Sequence, residues 1–210
     1  MPTLPFITPD LLMSDSVAVV GSSDNLLGNG FGSEIDSFTD VVRFNQAPID
    51  GYEIDVGSKT SMRMIGNSVL LCAPGIPDGN RMFVTTLRNL RICHHGNWFD
   101  NLTHNRDHYP YLHESNELFF FHYKQMELYF SMPPTDPPIF TSGLRMVHSL
   151  IAAGIVPCLF GFNFDDAAVR KHYWSDVTVL DYQIHDFVDE AKILLRLAEE
   201  GKIIIRVVAK

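Results

Sequence analysis

Short apolar runs that end in polar, glycine-containing turns mark the first part of the chain. Residues 17–20 (VAVV) end at Gly21, and residues 40–44 (DVVRF) end at Asn45. The uninterrupted apolar run 17–20 is typical of a strand that is covered on both faces of a parallel sheet, and residues 40–44 are predicted as a second strand. The pattern therefore predicts two central strands of an α/β sheet, in which ligands bind beyond the carboxyl ends of the strands.

The second half of the chain adds amphipathic helices that are each followed by a strand. Apolar residues at 144, 147, 151 and 152 repeat with helical spacing after Thr141, a typical N-cap residue, and Gly154 ends that helix before a strand predicted over residues 155–160. A similar face predicts a helix that starts at or just after His185, stops at Gly201 and precedes a strand over residues 202–208. The aromatic residues 116–130 are predicted as another helix packed on the sheet.

Small polar residues follow the two N-terminal strands. We expect these side chains to face one crevice: Ser22, Ser23, Asn25 and Asn45. Gly28, Gly30 and Gly32 then supply backbone N–H groups that a phosphate or a ribose could use. Their spacing does not match the GxGxxG pattern of dinucleotide-binding proteins, so a hydride-transfer cofactor is not indicated.

Composition narrows the class of protein. The chain has 210 residues, of which 46% are hydrophobic, and no shift of composition divides it, so we expect one domain over residues 1–210. A net charge of −9 argues against general binding of nucleic acid, which requires a basic surface to neutralise phosphates. No segment has the roughly 20 apolar residues that a transmembrane helix needs, and the N-terminus does not resemble a signal peptide, so we expect a soluble chain without a membrane span.

The motifs, taken in order, resemble a known family. Residues 17–61, with the strings NLLGNGFGSEID, VVRFNQAP and DVGSKTS, resemble the large sialylmotif of the eukaryotic-type sialyltransferases, glycosyltransferase family 29. Residues 137–162 resemble the small sialylmotif, residues 172–174 (HYW) the third motif, and His185 with Glu190 the very small motif. The resemblance implies a single Rossmann-like α/β domain, with a central, mostly parallel twisted sheet flanked by helices, in the variant GT-A architecture of glycosyltransferases.

The resemblance also implies a role for each candidate residue. His185 would act as the general base, His172 would stabilise the leaving phosphate, and Glu190 would support them. The dipole at a helix N-terminus would keep the imidazole of His185 neutral near pH 7, as a proton acceptor requires. The nucleotide would be held by the strand ends, by the turn before the first amphipathic helix and by one aromatic residue: Ser22, Ser23, Asn25, Asn45, Thr141, Ser142, Gly143 and Tyr173.

The implied reaction transfers sialic acid from CMP-sialic acid to a hydroxyl of a glycan acceptor, such as galactose or N-acetylgalactosamine, with inversion. Because the leaving group is a nucleoside monophosphate, no metal or other cofactor is expected. Two alternatives stay open within the resemblance, a transferase for another CMP-activated ulosonic acid and a non-catalytic relative that binds a nucleotide or a glycan. An unrelated α/β enzyme such as a methyltransferase would respond to a methyl donor in place of a cytidine nucleotide.

Two features depart from the family pattern. Golgi relatives join their large and small motifs by a disulfide, whose positions correspond to Val17 and Gly154, and Ser22 stands where the family has Asn. The cysteines of this chain lie at other positions: Cys72, Cys93 and Cys158. We expect all three to be reduced. These departures favour a minimal relative that works in the cytoplasm, or in the Golgi lumen if a membrane anchor has been removed.

Residues 67–136 separate the donor motifs, and we expect them to determine acceptor specificity. They are rich in histidine and large aromatic residues: His94, His95, Trp98, His104, His108, Tyr109 and His113. The spacing of the histidines does not match that of zinc ligands, so no metal site is predicted and a sugar-binding surface is favoured.

Overall fold

A parallel sheet forms the centre of the computed structural model, which describes residues 14–45, 47–66, 91–95, 117–121, 141–164, 170–175, 178–179 and 187–206. The strands within these ranges are β1 (Val17–Val20), β2 (Asp40–Phe44), β3 (Met62–Gly66), β4 (Arg91–His95), β5 (Glu117–Phe121), β6 (Cys158–Phe160), β7 (Arg170–Lys171), β8 (Thr178–Val179) and β9 (Ile204–Arg206). Seven of them form one sheet in the order β5, β4, β3, β2, β1, β6, β9, in which every neighbouring pair runs parallel. β7 and β8 pair separately as a short antiparallel ribbon.

Helices cover both faces of the sheet. The described α-helices are α1 (Gly32–Ser37), α2 (Glu53–Val56), α3 (Ser142–Ala152) and α4 (Phe187–Glu199), and a short 3-10 helix spans Asp24–Leu26. The parallel sheet and its flanking helices confirm the predicted α/β class. Among the helices described, none is both long enough and apolar enough to cross a lipid bilayer.

The side chains of β1 alternate between two separate hydrophobic cores. Val17 and Val19 point to one face, where buried residues of α3 and α4 cover them. Ala18 and Val20 point to the other face, where buried residues of α1 and α2 pack. All four side chains are almost fully buried. Because both faces of the strand need apolar side chains, its sequence is an uninterrupted apolar run.

One predicted element was wrong and two were too long. Residues 117–121, predicted as part of a helix, form strand β5 and pair in parallel with β4. The periodicity of a short aromatic run does not distinguish a strand from a helix, so pairing with the neighbouring strand determines its secondary structure. The remainder of that predicted helix, residue 116 and residues 122–130, lies outside the described residues. β6 begins at residue 158 and β9 at residue 204, later than the predicted starts at 155 and 202, and residues 207–208 of the second predicted strand lie outside the described residues.

The order of the strands creates a crevice beside β1. Strands β2 to β5 follow one another on one side of β1, whereas β6 and β9 lie on its other side. The order in which the chain adds strands to the sheet therefore reverses between β1 and β6, although all of these strands run parallel. At this point the N–H of Gly21 donates to the carbonyl of Phe160 at 2.7 Å. The segments after β1 and β6 therefore start side by side, at the place where open α/β sheets bind ligands.

Candidate active site

A cavity of about 270 Å³ opens at the carboxyl ends of β1, β2 and β6. Its volume is close to the lower end of the range of about 300–1,000 Å³ that small-molecule sites occupy. Six of the residues predicted to bind a nucleotide line it: Ser22, Ser23, Asn45, Thr141, Ser142 and Gly143. Two predicted catalytic residues, His172 and Glu190, line it as well. Residues from five segments far apart in the sequence thus meet in one cavity.

Ser23 connects the turn after β1 to the turn after β6. Its hydroxyl donates to Oδ1 of Asn163 at 2.6 Å and accepts from the N–H of Asn25 at 3.2 Å. Asn163 lines the cavity but was not predicted, although it lies three residues beyond the carboxyl end of β6. The position of β6 beside β1, which only the assembled sheet reveals, is the signal that identifies it.

Asn25 is not part of the cavity wall. It is exposed and does not line the cavity, unlike Ser22, Ser23 and Asn45. Its amide nitrogen donates at 2.9 Å both to the carbonyl of Phe162 and to Oδ1 of Asn163. The structure therefore places Asn25 as a support for residues 162–163, and a direct contact with a nucleotide stays a prediction.

The glycine-rich loop binds a side chain of its own protein. The N–H groups of Gly28 and Gly30 donate to the Asp55 carboxylate at 2.9 and 2.8 Å. Burial of Asp55 opposes ionisation, but these amide hydrogen bonds outweigh it, so the pKa of the carboxyl lies below its ordinary value. The expectation that these two amides face a phosphate was wrong, because Asp55 already occupies them.

Asn45 reaches the cavity from an unusual backbone conformation. Its φ is 44°, in the left-handed region that few residues other than glycine adopt. The buried guanidinium of Arg63 donates to the carbonyls of Asn45 and Ala47 at 2.7 and 3.1 Å. The N–H of Asn45 also donates to the carbonyl of Met64 at 2.8 Å. These bonds hold the turn after β2 in the conformation that directs Asn45 to the cavity.

Tyr173 supports the same turn from outside the cavity. It is buried, its hydroxyl donates to the carbonyl of Pro48, and its N–H donates to the carbonyl of Ser22 at 3.0 Å. Burial raises the pKa of the phenol to about 12, so it stays a hydrogen-bond donor at neutral pH. Tyr173 does not line the cavity, and of its two partners only Ser22 does, so a direct contact of Tyr173 with the nucleotide stays a prediction.

The N-terminus of α3 is fixed by a residue of α4. Thr141 caps α3 by accepting from the N–H of Leu144 at 3.2 Å. Its own N–H and hydroxyl donate to the two carboxylate oxygens of Glu190, each at 2.6 Å. Glu190 is 6% exposed, and its charge partly offsets the burial that lowers the pKa of nearby Arg145. Glu190 therefore holds the turn 141–143 against the cavity.

Replacing Glu190 by alanine is expected to lower the free energy of unfolding by about 2–4 kcal/mol, because two charge-assisted hydrogen bonds are lost and their donors on Thr141 are only partly open to water. Urea denaturation measures the change. Glu199→Ala, on the exposed last turn of the same helix, is the matched control and is expected to change stability by less than about 0.5 kcal/mol. Equal effects of the two substitutions would contradict a positioning role for Glu190.

His172 lies between the wall of the cavity and an aromatic ring. Its backbone forms an antiparallel bridge with Ser23. Its imidazole stacks on Trp174, with ring centroids 4.4 Å apart and an angle of 1° between the ring planes. Lys171, the preceding residue, also lines the cavity but was not predicted as a site residue. Its position next to a histidine motif was the available signal.

His185 lies outside the described residues. The helix that follows it, α4, begins at Phe187, and that residue lines the cavity together with Glu190, Ala191 and Leu194. Most of the predicted acceptor region, residues 67–136, also lies outside the described residues, apart from β4 and β5.

Within the described residues, no three His, Cys, Asp or Glu side chains come close enough together to hold a metal ion. Cys158 is a buried free thiol, and burial raises its pKa to about 11, which makes it a poor nucleophile.

The sequence and the fold of the chain both resemble those of known proteins. The sequence profile of glycosyltransferase family 29 (sialyltransferase) matches residues 12–133, more than half of the chain. The chain belongs to this family. Proteins named as sialyltransferases also appear among its curated relatives. The β-galactoside α-2,6-sialyltransferase 2 of Takifugu rubripes is 48% identical over 62 residues, which are 30% of this chain and 12% of that protein.

A second relative and one solved structure extend the comparison. The CMP-N-acetylneuraminate-β-galactosamide-α-2,3-sialyltransferase 2 of Mus musculus is 57% identical over 44 residues, which are 21% of this chain and 13% of that protein. The chain thus aligns with only about an eighth of the length of each of these two relatives. A mammalian sialyltransferase crystallised with Gal-β-1-3GalNAc-ortho-nitrophenol shares the fold, with a TM-score of 0.67, 21% identity, and coverage of 96% of this chain and 72% of that one.

Proposed function

We propose that this family 29 chain transfers sialic acid from CMP-sialic acid to a hydroxyl of a glycan acceptor with inversion. The observation that supports it most is the single cavity in which Ser23, Asn45, Ser142 and His172 meet at the reversal point of the sheet. The names of the similar proteins point to the same donor and to β-galactoside or Gal-β-1-3GalNAc acceptors.

The proposed reaction assigns the charged steps to two histidines. The acceptor oxygen attacks the anomeric carbon of sialic acid as its proton passes to His185, and the bond to the phosphate oxygen breaks with its electron pair, releasing CMP. His172 stabilises the charge that collects on the departing phosphate. Phe187, two residues after His185, lines the cavity, which supports a place for His185 at its edge.

The nucleotide is proposed to bind at the carboxyl ends of β1 and β2 and at the start of α3. The positive end of the α3 dipole favours an anion near residues 141–143. Hydroxyl and amide groups of Ser22, Ser23 and Asn45 supply further hydrogen bonds. Because CMP is a monophosphate leaving group, we expect transfer to proceed without an added divalent ion.

Thermal denaturation with cytidine monophosphate tests the pocket. A concentration of about 100 times Kd stabilises a protein by about 2.7 kcal/mol, which for this size raises Tm by about 5–10 °C. We expect the same shift with and without EDTA, and no shift with a methyl donor. Stabilisation by the methyl donor alone would contradict the proposal.

Product analysis tests the transfer itself. We expect CMP-sialic acid to be consumed, with release of CMP and formation of a sialylated glycan. Binding of CMP without any release of CMP from the donor would favour a non-catalytic relative, whereas turnover only with another CMP-activated ulosonic acid would change the sugar and keep the chemistry.

A further inference from the structure

Lys171 places a positive charge at the wall of the cavity. It ends strand β7, is partly exposed, and directly precedes His172. Apart from the histidine, the charged side chains among the described lining residues are Lys171 and Glu190. Both oxygens of Glu190 accept hydrogen bonds from Thr141. None of the ion pairs between described residues involves Lys171.

This charge matters because the protein as a whole repels anions. The chain carries a net charge of −9, whereas CMP-sialic acid carries one negative charge on its phosphate and another on the carboxylate of the sugar. The long-range field of the protein therefore disfavours approach of the donor, and a cation at the wall of the cavity offsets part of that repulsion. The helix dipole at the start of α3 supplies only a partial positive charge.

We propose that Lys171 binds an anionic group of the donor, either the phosphate of the nucleotide or the carboxylate of the sugar. The inference rests on the proposed function and adds to it the residue that pairs with the donor's charge. A lysine suits this task, because its ammonium group is a compact charge on a flexible stem with three N–H donors. Lys171 lies on the wall of the cavity next to His172, the residue proposed to stabilise the leaving phosphate.

Binding of three probes to the whole chain tests the role of Lys171. Lys171→Met removes the charge and keeps the length of the side chain, Lys171→Arg keeps the charge, and Lys192→Met removes an exposed lysine on α4 as the matched control. Calorimetry would compare CMP, cytidine and CMP-sialic acid. If the phosphate is the partner, Lys171→Met is expected to weaken the binding of CMP by about 10- to 100-fold and to leave the binding of cytidine unchanged.

The other outcomes are equally distinct. Weaker binding of CMP-sialic acid with unchanged binding of CMP would identify the sugar carboxylate as the partner and support the same role. We expect Lys171→Arg to retain most of the affinity and Lys192→Met to bind as the wild type does. Added salt should weaken CMP binding to the wild type more than to Lys171→Met.

Unchanged affinity of Lys171→Met for both anionic ligands would overturn the inference while leaving the proposed function intact. Failure of the wild type to bind CMP or CMP-sialic acid would instead overturn the proposed function, and the role of Lys171 with it. Melting temperatures of all variants, measured without ligand, separate a lost contact from a loss of folding.

Discussion

Replacing His185 by alanine is expected to lower kcat/KM for sialyl transfer by about 100- to 10,000-fold, the usual contribution of a general base. The acceptor hydroxyl then has no positioned group to take its proton as the new bond forms. CMP should raise Tm of the variant as it does that of the wild type, because the nucleotide is proposed to bind at other residues. Steady-state kinetics with product detection, together with the CMP thermal shift, measures both effects.

The pH dependence of the same variant gives a second readout. The wild type should lose kcat/KM as pH falls and the base becomes protonated, whereas the residual activity of His185→Ala should lack that acidic limb. Turnover of His185→Ala near the wild-type level would remove His185 from the base role.

Replacing His172 by alanine is expected to lower kcat by about 100- to 1,000-fold, comparable to the loss of one positioned donor to a developing negative charge. The ring is held at the cavity by the bridge between His172 and Ser23 and by its stack on Trp174. His172→Gln should retain part of the activity, since its amide still donates a hydrogen bond.

Donors with better leaving groups distinguish this role from a structural one. The rate of transfer from a donor whose substituted nucleotide leaves more easily should fall less in His172→Ala than the rate of transfer from CMP-sialic acid does. Trp174→Phe is the structural comparison, because it keeps a ring in the stack and should cost far less activity. An equal loss for both donors would argue that His172 only supports the wall.

Local patterns were sufficient to predict the elements that carry the site. The apolar runs at β1 and β2 and the N-cap Thr141 of α3 could be predicted because each depends on neighbours in the sequence. Burial of one helix face was harder to predict. Val188 and Leu195 belong to the apolar stripe of α4 but stay 42% and 43% exposed, whereas Leu197 is buried. Apolar residues of α4 lie on more than one side of the helix, and the elements that pack against it determine which of them become buried.

Some polar residues of the motif in residues 17–61 stabilise the fold and others line the cavity, and the sequence alone does not distinguish the two groups. Asp55 closes the glycine-rich loop, and Arg43 is 1% exposed and donates to the carbonyls of Val56 and Gly57. Ser23 and Asn45, by contrast, line the cavity. All are polar residues within residues 17–61, and their different uses depend on contacts across 13 or more positions of the chain.

The contact between Gly21 and Gly161 shapes the part of the cavity where the nucleotide is proposed to bind. A Cβ on residue 21 would lie 2.3 Å from the carbonyl oxygen of Gly161, so even a methyl group would push β1 and β6 apart. The two backbones are joined directly, since the N–H of Ser23 donates to the carbonyl of Gly161 at 3.2 Å. A donor that binds there as proposed would meet a surface fixed by the protein's own backbone, and little of its affinity would be lost to ordering that part of the chain.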